Sequence, residues 1–222
     1  GTGKTTLIYS LLSGLTNAVE AAYIYNTSLS FDEILEAALK DLGLRPAGPR
    51  RLDLLECLNG LLGRCAAEGR TVALVIDEAQ SLSDEAIEQF RLLLNFETYS
   101  RKLLQIVLVG QPELAMRLDR PELRQIRDRV AVRSVLNPLG GKEARDYVRH
   151  RLEAVGGSLT LFTDDALELI LRRSRGVPRR INILCHNAML FAFGHARPLV
   201  DLNVAKVAVA EVEGSDLVQL EA

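Results

Sequence analysis

The chain opens on Gly1-Thr2-Gly3-Lys4-Thr5-Thr6, the closing half of the phosphate-loop pattern G-x-x-x-x-G-K-[ST]. This pattern constrains the fold because the loop works only where a strand hands over to the N-terminus of a helix. There, backbone N–H groups and the helix dipole wrap a polyphosphate. The lysine ammonium reaches the β- and γ-phosphates, and the hydroxyl after it ligates Mg²⁺. Lys4 and Thr5 stand in those two places, and Gly1, Thr2, Gly3 and Thr6 complete the cradle. The first glycine of the pattern and the strand that feeds it fall before residue 1, so this reading expects a further segment ahead of Gly1. Taken alone, a G-K-T triplet is also compatible with an ordinary helix cap.

A second motif decides between the two. Thr71-Val72-Ala73-Leu74-Val75-Ile76-Asp77-Glu78 follows Gly69 and is an apolar, β-branched run that ends in paired carboxylates. A run of this kind reads as a strand buried on both faces of a parallel sheet. Its carboxyl end lies where open α/β sheets place their ligands. In that position Asp77 holds Mg²⁺, directly or through water, and Glu78 polarises an attacking water as general base. The alternative, in which both acids solvate a strand end and cap the next helix, leaves Lys4-Thr5 without a purpose. Together the motifs imply binding and hydrolysis of a nucleoside triphosphate.

Strand and helix signals alternate as far as residue 137. Residues 5–15 carry Leu7, Ile8, Leu11 and Leu12 at helical spacing, and residues 21–26 read as a strand. Ser30 with Glu33 forms a capping-box pattern for a helix over 30–42, stopped by Gly43. Helices over 52–68 and 83–96 flank the carboxylate strand. Residues 103–111 form the next buried strand. An arginine-rich helical stretch at 121–129 leads into 130–135, expected as a final strand. Asn137-Pro138-Leu139-Gly140-Gly141 marks a boundary. Beyond it, 142–154, 163–174, 178–192 and 201–211 all read as helix, with Thr163 as N-cap and Pro178 in a first turn. The expected architecture is a P-loop, three-layer α/β domain over 1–137, a helical lid over 138–213 and a tail over 214–222. A chain with 48% hydrophobic residues, 25% charged residues and a net charge of −2 suits a globular protein rather than a constitutive nucleic-acid coat. No apolar run approaches the roughly 20 residues of a membrane span. Cys57, Cys65 and Cys185 lack metal spacing, and Cys57 and Cys65, on an amphipathic helical stretch, read as core thiols.

The order of these motifs resembles that of the AAA+ ATPases. On that resemblance Gln111, ending the fourth strand, matches sensor 1, which orients the attacking water. The segment Leu123-Arg124-Gln125-Ile126-Arg127-Asp128-Arg129-Val130 matches the stretch that carries an arginine finger, with Arg129 first in line, then Arg127, and Arg124 also open. Gly176-Val177-Pro178-Arg179 matches the lid's sensor 2, with Arg179 contacting the γ-phosphate. Asn26 is read either as the polar partner that restrains Glu78 or as a strand-stop amide. A finger acts only when a neighbour supplies it, so the resemblance implies a homo-oligomer, ring or filament, that binds ATP and Mg²⁺.

Finer likeness comes from Asp77-Glu78-Ala79-Gln80-Ser81-Leu82-Ser83, Gly110-Gln111-Pro112-Glu113-Leu114 and Arg120-Pro121-Glu122-Leu123-Arg124-Gln125. These resemble the general secretion pathway protein A (ExeA/GspA) group. That group implies a cytoplasmic ATPase, or one at the cytoplasmic face of the inner membrane, that drives assembly of a bacterial secretion, pilus or exopolysaccharide machine with an envelope partner. The D-E-A-Q sequence also occurs in transposition-helper ATPases of the TniB type, which bind DNA. That is the competing reading, with nucleic acid the less favoured partner. A nucleotide-binding scaffold without turnover is a third, and Lys4, Asp77 and Glu78 argue against it.

Overall fold

The computed structural model describes residues 1–25, 29–97 and 102–220. Asn26, expected to end the first described strand, lies outside the described residues. The chain divides into two compact units. One is Thr5–Ser134, and the other joins Gly1–Lys4 to Val135–Ala222.

The first unit alternates helix and strand: α1 (Lys4–Ser13, whose first residue clusters with the other unit), β1 (Val19–Ile24), α2 (Phe31–Asp41), α3 (Arg51–Ala67), β2 (Thr71–Ile76), α4 (Asp84–Leu93), β3 (Leu104–Leu108), α5 (Pro112–Leu118) and the single turn α6 (Arg124–Arg127). The strands pair in parallel in the order β1-β2-β3, with Ala22 level with Leu74 and Leu74 with Ile106. Parallel strands need crossovers, and α2, α3 and α4 supply them. Ala22, Ile24, Val72, Leu74, Ile76 and Leu104 share a core with Ile34, Leu35 and Leu39 of α2, Leu54, Leu58 and Leu62 of α3, and Ile87 and Phe90 of α4. The opposite face carries the row Tyr23, Val75 and Val107. There the Tyr23 ring meets Tyr9 of α1 with centroids 5.4 Å apart, whereas Val107 is 40% exposed.

Local chemistry explains the helix starts. Ser30 Oγ accepts from the Glu33 N–H while Glu33 Oε2 accepts from the Ser30 N–H at 2.8 Å, the capping box read from sequence. Ser83 caps α4 by accepting from Ala86 N–H at 3.0 Å. Helix α5 is additional to the sequence reading, although Pro112 in its first turn is the signal that could have located it. The strand expected over 130–135 does not form. The segment is irregular, and Val132 is 82% exposed. β-Branched residues favour extended backbone, but a strand exists only where its amides find a neighbouring edge, and none of the three described strands pairs with this segment.

The second unit holds α7 (Gly141–Glu153), α8 (Asp164–Ser174), α9 (Pro178–Gly194) and α10 (Leu202–Leu220). Val148 and Leu152 of α7, Leu167 and Ile170 of α8, Ile181 and Leu184 of α9, and Val204 of α10 form its core. Ala188, Ala205 and Ala208, all buried, let α9 and α10 approach closely. Asp201 Oδ1 accepts from Val204 N–H at 2.9 Å at the start of α10. That helix runs on through 214–220, where the sequence reading places a tail, because no proline interrupts it and one glycine does not stop a helix. Cys65 is buried as read and Cys57 only partly so; Cys185 is buried too, and burial pushes its thiol up to about 12.

Candidate nucleotide-binding site

Gly3 turns the chain into α1 with φ +98°, a conformation that only glycine adopts without strain. One residue later Lys4 begins the helix, and in the next position Thr5 Oγ1 donates to Asp77 Oδ2 at 3.1 Å. This bond spans 72 residues and ties the first turn of α1 to the residue after β2. Asp77 is only 3% exposed, and its charge is satisfied. Tyr23 Oη donates to the same Oδ2 at 2.9 Å, and the Glu78 N–H donates to Oδ1 at 2.8 Å. The phenol of Tyr23 is held well above its ordinary value, first by burial and then by the hydrogen bond to Asp77, because ionisation would set two anions side by side.

Glu78 adopts the left-handed conformation, φ 52° and ψ 34°. For a non-glycine residue this costs on the order of 1–3 kcal/mol, a kind of strain that clusters at functional sites. The turn that enforces it is well anchored. Asp77 N–H donates to Ile24 C=O and Ala79 N–H to Val109 C=O, both at 2.8 Å, so Glu78 is the residue released between two ladder bonds. Its Oε2 accepts from the side-chain amides of both Gln80 and, at 3.4 Å, Gln111. The Gln80 Oε1 in turn accepts from Gln111 N–H at 3.0 Å. Arg117 of α5 donates to the Gln80 carbonyl at 2.6 Å and pairs with Asp84. Asp77, Glu78 and Gln111 are therefore brought together with Thr5, as the motif order anticipates. Tyr23, Gln80 and Arg117 join them without having been singled out.

A family model described as an AAA domain matches residues 1–118, which include every one of these side chains. The chain belongs to the AAA domain family. The likeness to general secretion pathway protein A is also borne out: the curated protein of that name from Aeromonas hydrophila is 42% identical over 218 residues. Those residues are 96% of this chain and 39% of the relative's length. Among solved structures, the Aeropyrum pernix ORC2 protein in its ADP form superposes with a TM-score of 0.67 at 21% identity, over 95% of this chain and 59% of that one. Drosophila ORC bound to DNA gives 0.69 at 24%, over 99% and 55%. These last two bear on the fold alone.

For an AAA domain, nucleotide binding is the family property, and the residues present fit a magnesium ion as well. Mg²⁺ keeps most of its water and takes one or two protein oxygens beside substrate phosphates. The Thr5 hydroxyl and Asp77 carboxylate supply that kind of hard-oxygen pair. No group of three or more carboxylate, His or Cys side chains that could hold a metal ion by itself occurs among the described residues. Within the second unit, Arg179 N–H donates to the Gly1 carbonyl at 3.3 Å, and its side chain is exposed. Gly176, three residues before, has φ +71°, and an added Cβ there would lie 2.0 Å from the Leu139 carbonyl oxygen. The glycine of the G-x-P-R pattern is thus fixed by packing, as is Asn182, whose side chain hydrogen-bonds Tyr147. Arg129 follows α6 and is exposed, without an ion pair among the described residues. Arg124 and Arg127, by contrast, lie 3.6 and 3.7 Å from Asp128.

Proposed function

We propose that this AAA domain binds ATP with Mg²⁺ and hydrolyses it as a homo-oligomer, as the ATPase module of a bacterial envelope-assembly machine. The observation that carries the reading is the Thr5–Asp77 hydrogen bond. It joins the phosphate-loop helix to a buried carboxylate whose neighbour, Glu78, is held in a strained backbone conformation. In this mechanism the Gly1–Gly3 amides and Lys4 bind the β- and γ-phosphates, and Thr5 and Asp77 would hold a magnesium ion, which would neutralise phosphate charge. Glu78 takes a proton from water as its oxygen forms a bond to the γ-phosphorus. The bond from that phosphorus to the bridging oxygen breaks, and ADP departs. Gln111 orients the water, Arg179 contacts the γ-phosphate, and Arg129 reaches the site of the adjoining copy.

The envelope role rests on identity with general secretion pathway protein A. The DNA-helper alternative needs a cationic stripe; in the arginine-rich segment Arg124 and Arg127 both lie against Asp128 and Arg133 pairs with Asp119 at 3.0 Å, so three of its cations already face carboxylates.

The test is phosphate release measured beside ATP affinity. Glu78→Gln should keep ATP affinity and lose about 10²–10⁴-fold in turnover, because the base goes while the phosphate cradle stays. Lys4→Ala should lose both. Turnover of Glu78→Gln at the parent rate would overturn the assignment of the base.

A further inference from the structure

Gln80 serves neither the phosphate cradle nor the metal pair, yet its carboxamide is held at both its oxygen and its nitrogen in the turn after β2. Its carboxamide has one permitted orientation. Gln111 N–H can only donate, so Oε1 faces it at 3.0 Å. The Glu78 carboxylate can only accept, so Nε2 faces Oε2. The seat is cut to this shape. A Cβ at Gly110 would come within 2.9 Å of Gln80 Oε1 and 2.8 Å of Leu114, so a larger residue at 110 would evict the amide. Arg117 fixes the Gln80 backbone through its carbonyl and anchors to Asp84 at the start of α4. Ala79, between Glu78 and Gln80, is fully buried, and its N–H donates to the Val109 carbonyl at 2.8 Å, which anchors the turn.

We propose that Gln80 is a positioning residue for hydrolysis. It holds the Glu78 carboxylate by Oε2 and locks that carboxylate to the carboxyl end of β3 through the Gln111 backbone. This rests on the assignment of Glu78 as general base made above. The consequence is directional. Of the two amides on Oε2 among the described residues, the Gln111 side chain, at 3.4 Å, is the weaker. A γ-phosphate that draws the Gln111 side chain away leaves Gln80 to keep Glu78 aimed. The base stays oriented by a group that does not change partners during the cycle.

Gln80→Leu removes the donor to Glu78 without adding charge, whereas Gln80→Glu keeps an acceptor for Gln111 N–H but sets a second carboxylate against Glu78, so the two together separate loss of the donor from added charge. Against the parent chain, Gln80→Glu and Gln80→Leu should lower kcat about 10- to 100-fold, as expected for loss of an orienting partner, with ATP affinity unchanged. Exchanging the pair, Glu78→Gln with Gln80→Glu, restores an amide–carboxylate hydrogen bond with the base displaced. It should recover the Tm lost in Gln80→Glu and recover no turnover. Gln80→Glu with parent kcat would overturn the proposal, and so would a fall in ATP affinity matching the fall in kcat, or an exchange that leaves Tm uncorrected. A parent chain that binds ATP without turning it over would overturn the assignment of Glu78 first, and this inference with it.

Discussion

Tyr23→Phe removes a single oxygen and leaves the ring that packs against Tyr9. The oxygen it removes donates to Asp77 Oδ2 at 2.9 Å, and the carboxylate it serves is 3% exposed. After substitution, Oδ2 keeps Thr5 alone, at 3.1 Å. A hydrogen bond to a charged group is worth about 1.5–3 kcal/mol. Tyr23 is half-buried, so water repairs part of the loss. The expected cost is then about 1–2 kcal/mol, or a fall of about 4–8 °C in Tm for a unit the size of Thr5–Ser134. Thermal unfolding at neutral pH without nucleotide measures it. Repeating the substitution on Asp77→Asn supplies the control, because the acceptor has lost its charge and the phenol's loss should cost less than about half as much. Equal costs in both backgrounds, or no cost in the parent, would refute the reasoning and leave the Tyr9–Tyr23 ring contact as the whole contribution of this residue.

Further substitutions probe glycine packing in each unit and the site that adjoining copies complete. Gly176→Ala should destabilise by about 3 kcal/mol, combining left-handed strain with the clash against Leu139. Gly43→Ala, at φ +74° with nothing near its Cβ, should cost only about 1 kcal/mol, and similar Tm values for the two would refute the packing argument. Arg129→Ala should abolish ATP turnover while leaving ATP affinity intact. Mixing it with Lys4→Ala should restore partial activity, because the Lys4→Ala copy lends its arginine to a neighbour's intact phosphate loop. Arg129→Ala at parent activity would remove it as the finger.

What the sequence made legible was whatever is encoded locally. The phosphate-loop residues, the capping box at Ser30 and Glu33, and the strand ending at Asp77 each depend on neighbours a few positions away. The fold class followed from their alternation. The strand expected over 130–135 failed because pairing is a property of the partner edge as much as of Val130, Val132 and Val135. The parts of the site that escaped are those set by register. Tyr23 reaches Asp77 only because Ile24 lies level with Ile76, and Gln80 reaches Gln111 only because β3 pairs with β2 at that offset. Neither alignment has a signature in the spacing of residues along the chain. The left-handed backbone of Glu78 was equally silent, since glutamate carries no preference for it.

The two edges of the sheet differ. Residues of β1 that turn away from β2 present their amides outward. Of these, Val19 N–H is taken by the Thr16 carbonyl at 3.1 Å and Tyr23 N–H by Asp41 Oδ2 at 2.8 Å. A charged side chain laid along an edge blocks the approach of another strand. At the other side β3 pairs with no further strand among the described residues. Endless stacking of chains into a fibril needs each molecule to be sticky at both ends. With β1 plugged, that border cannot take a further strand, so whatever covers the β3 side, strand addition cannot run on from molecule to molecule.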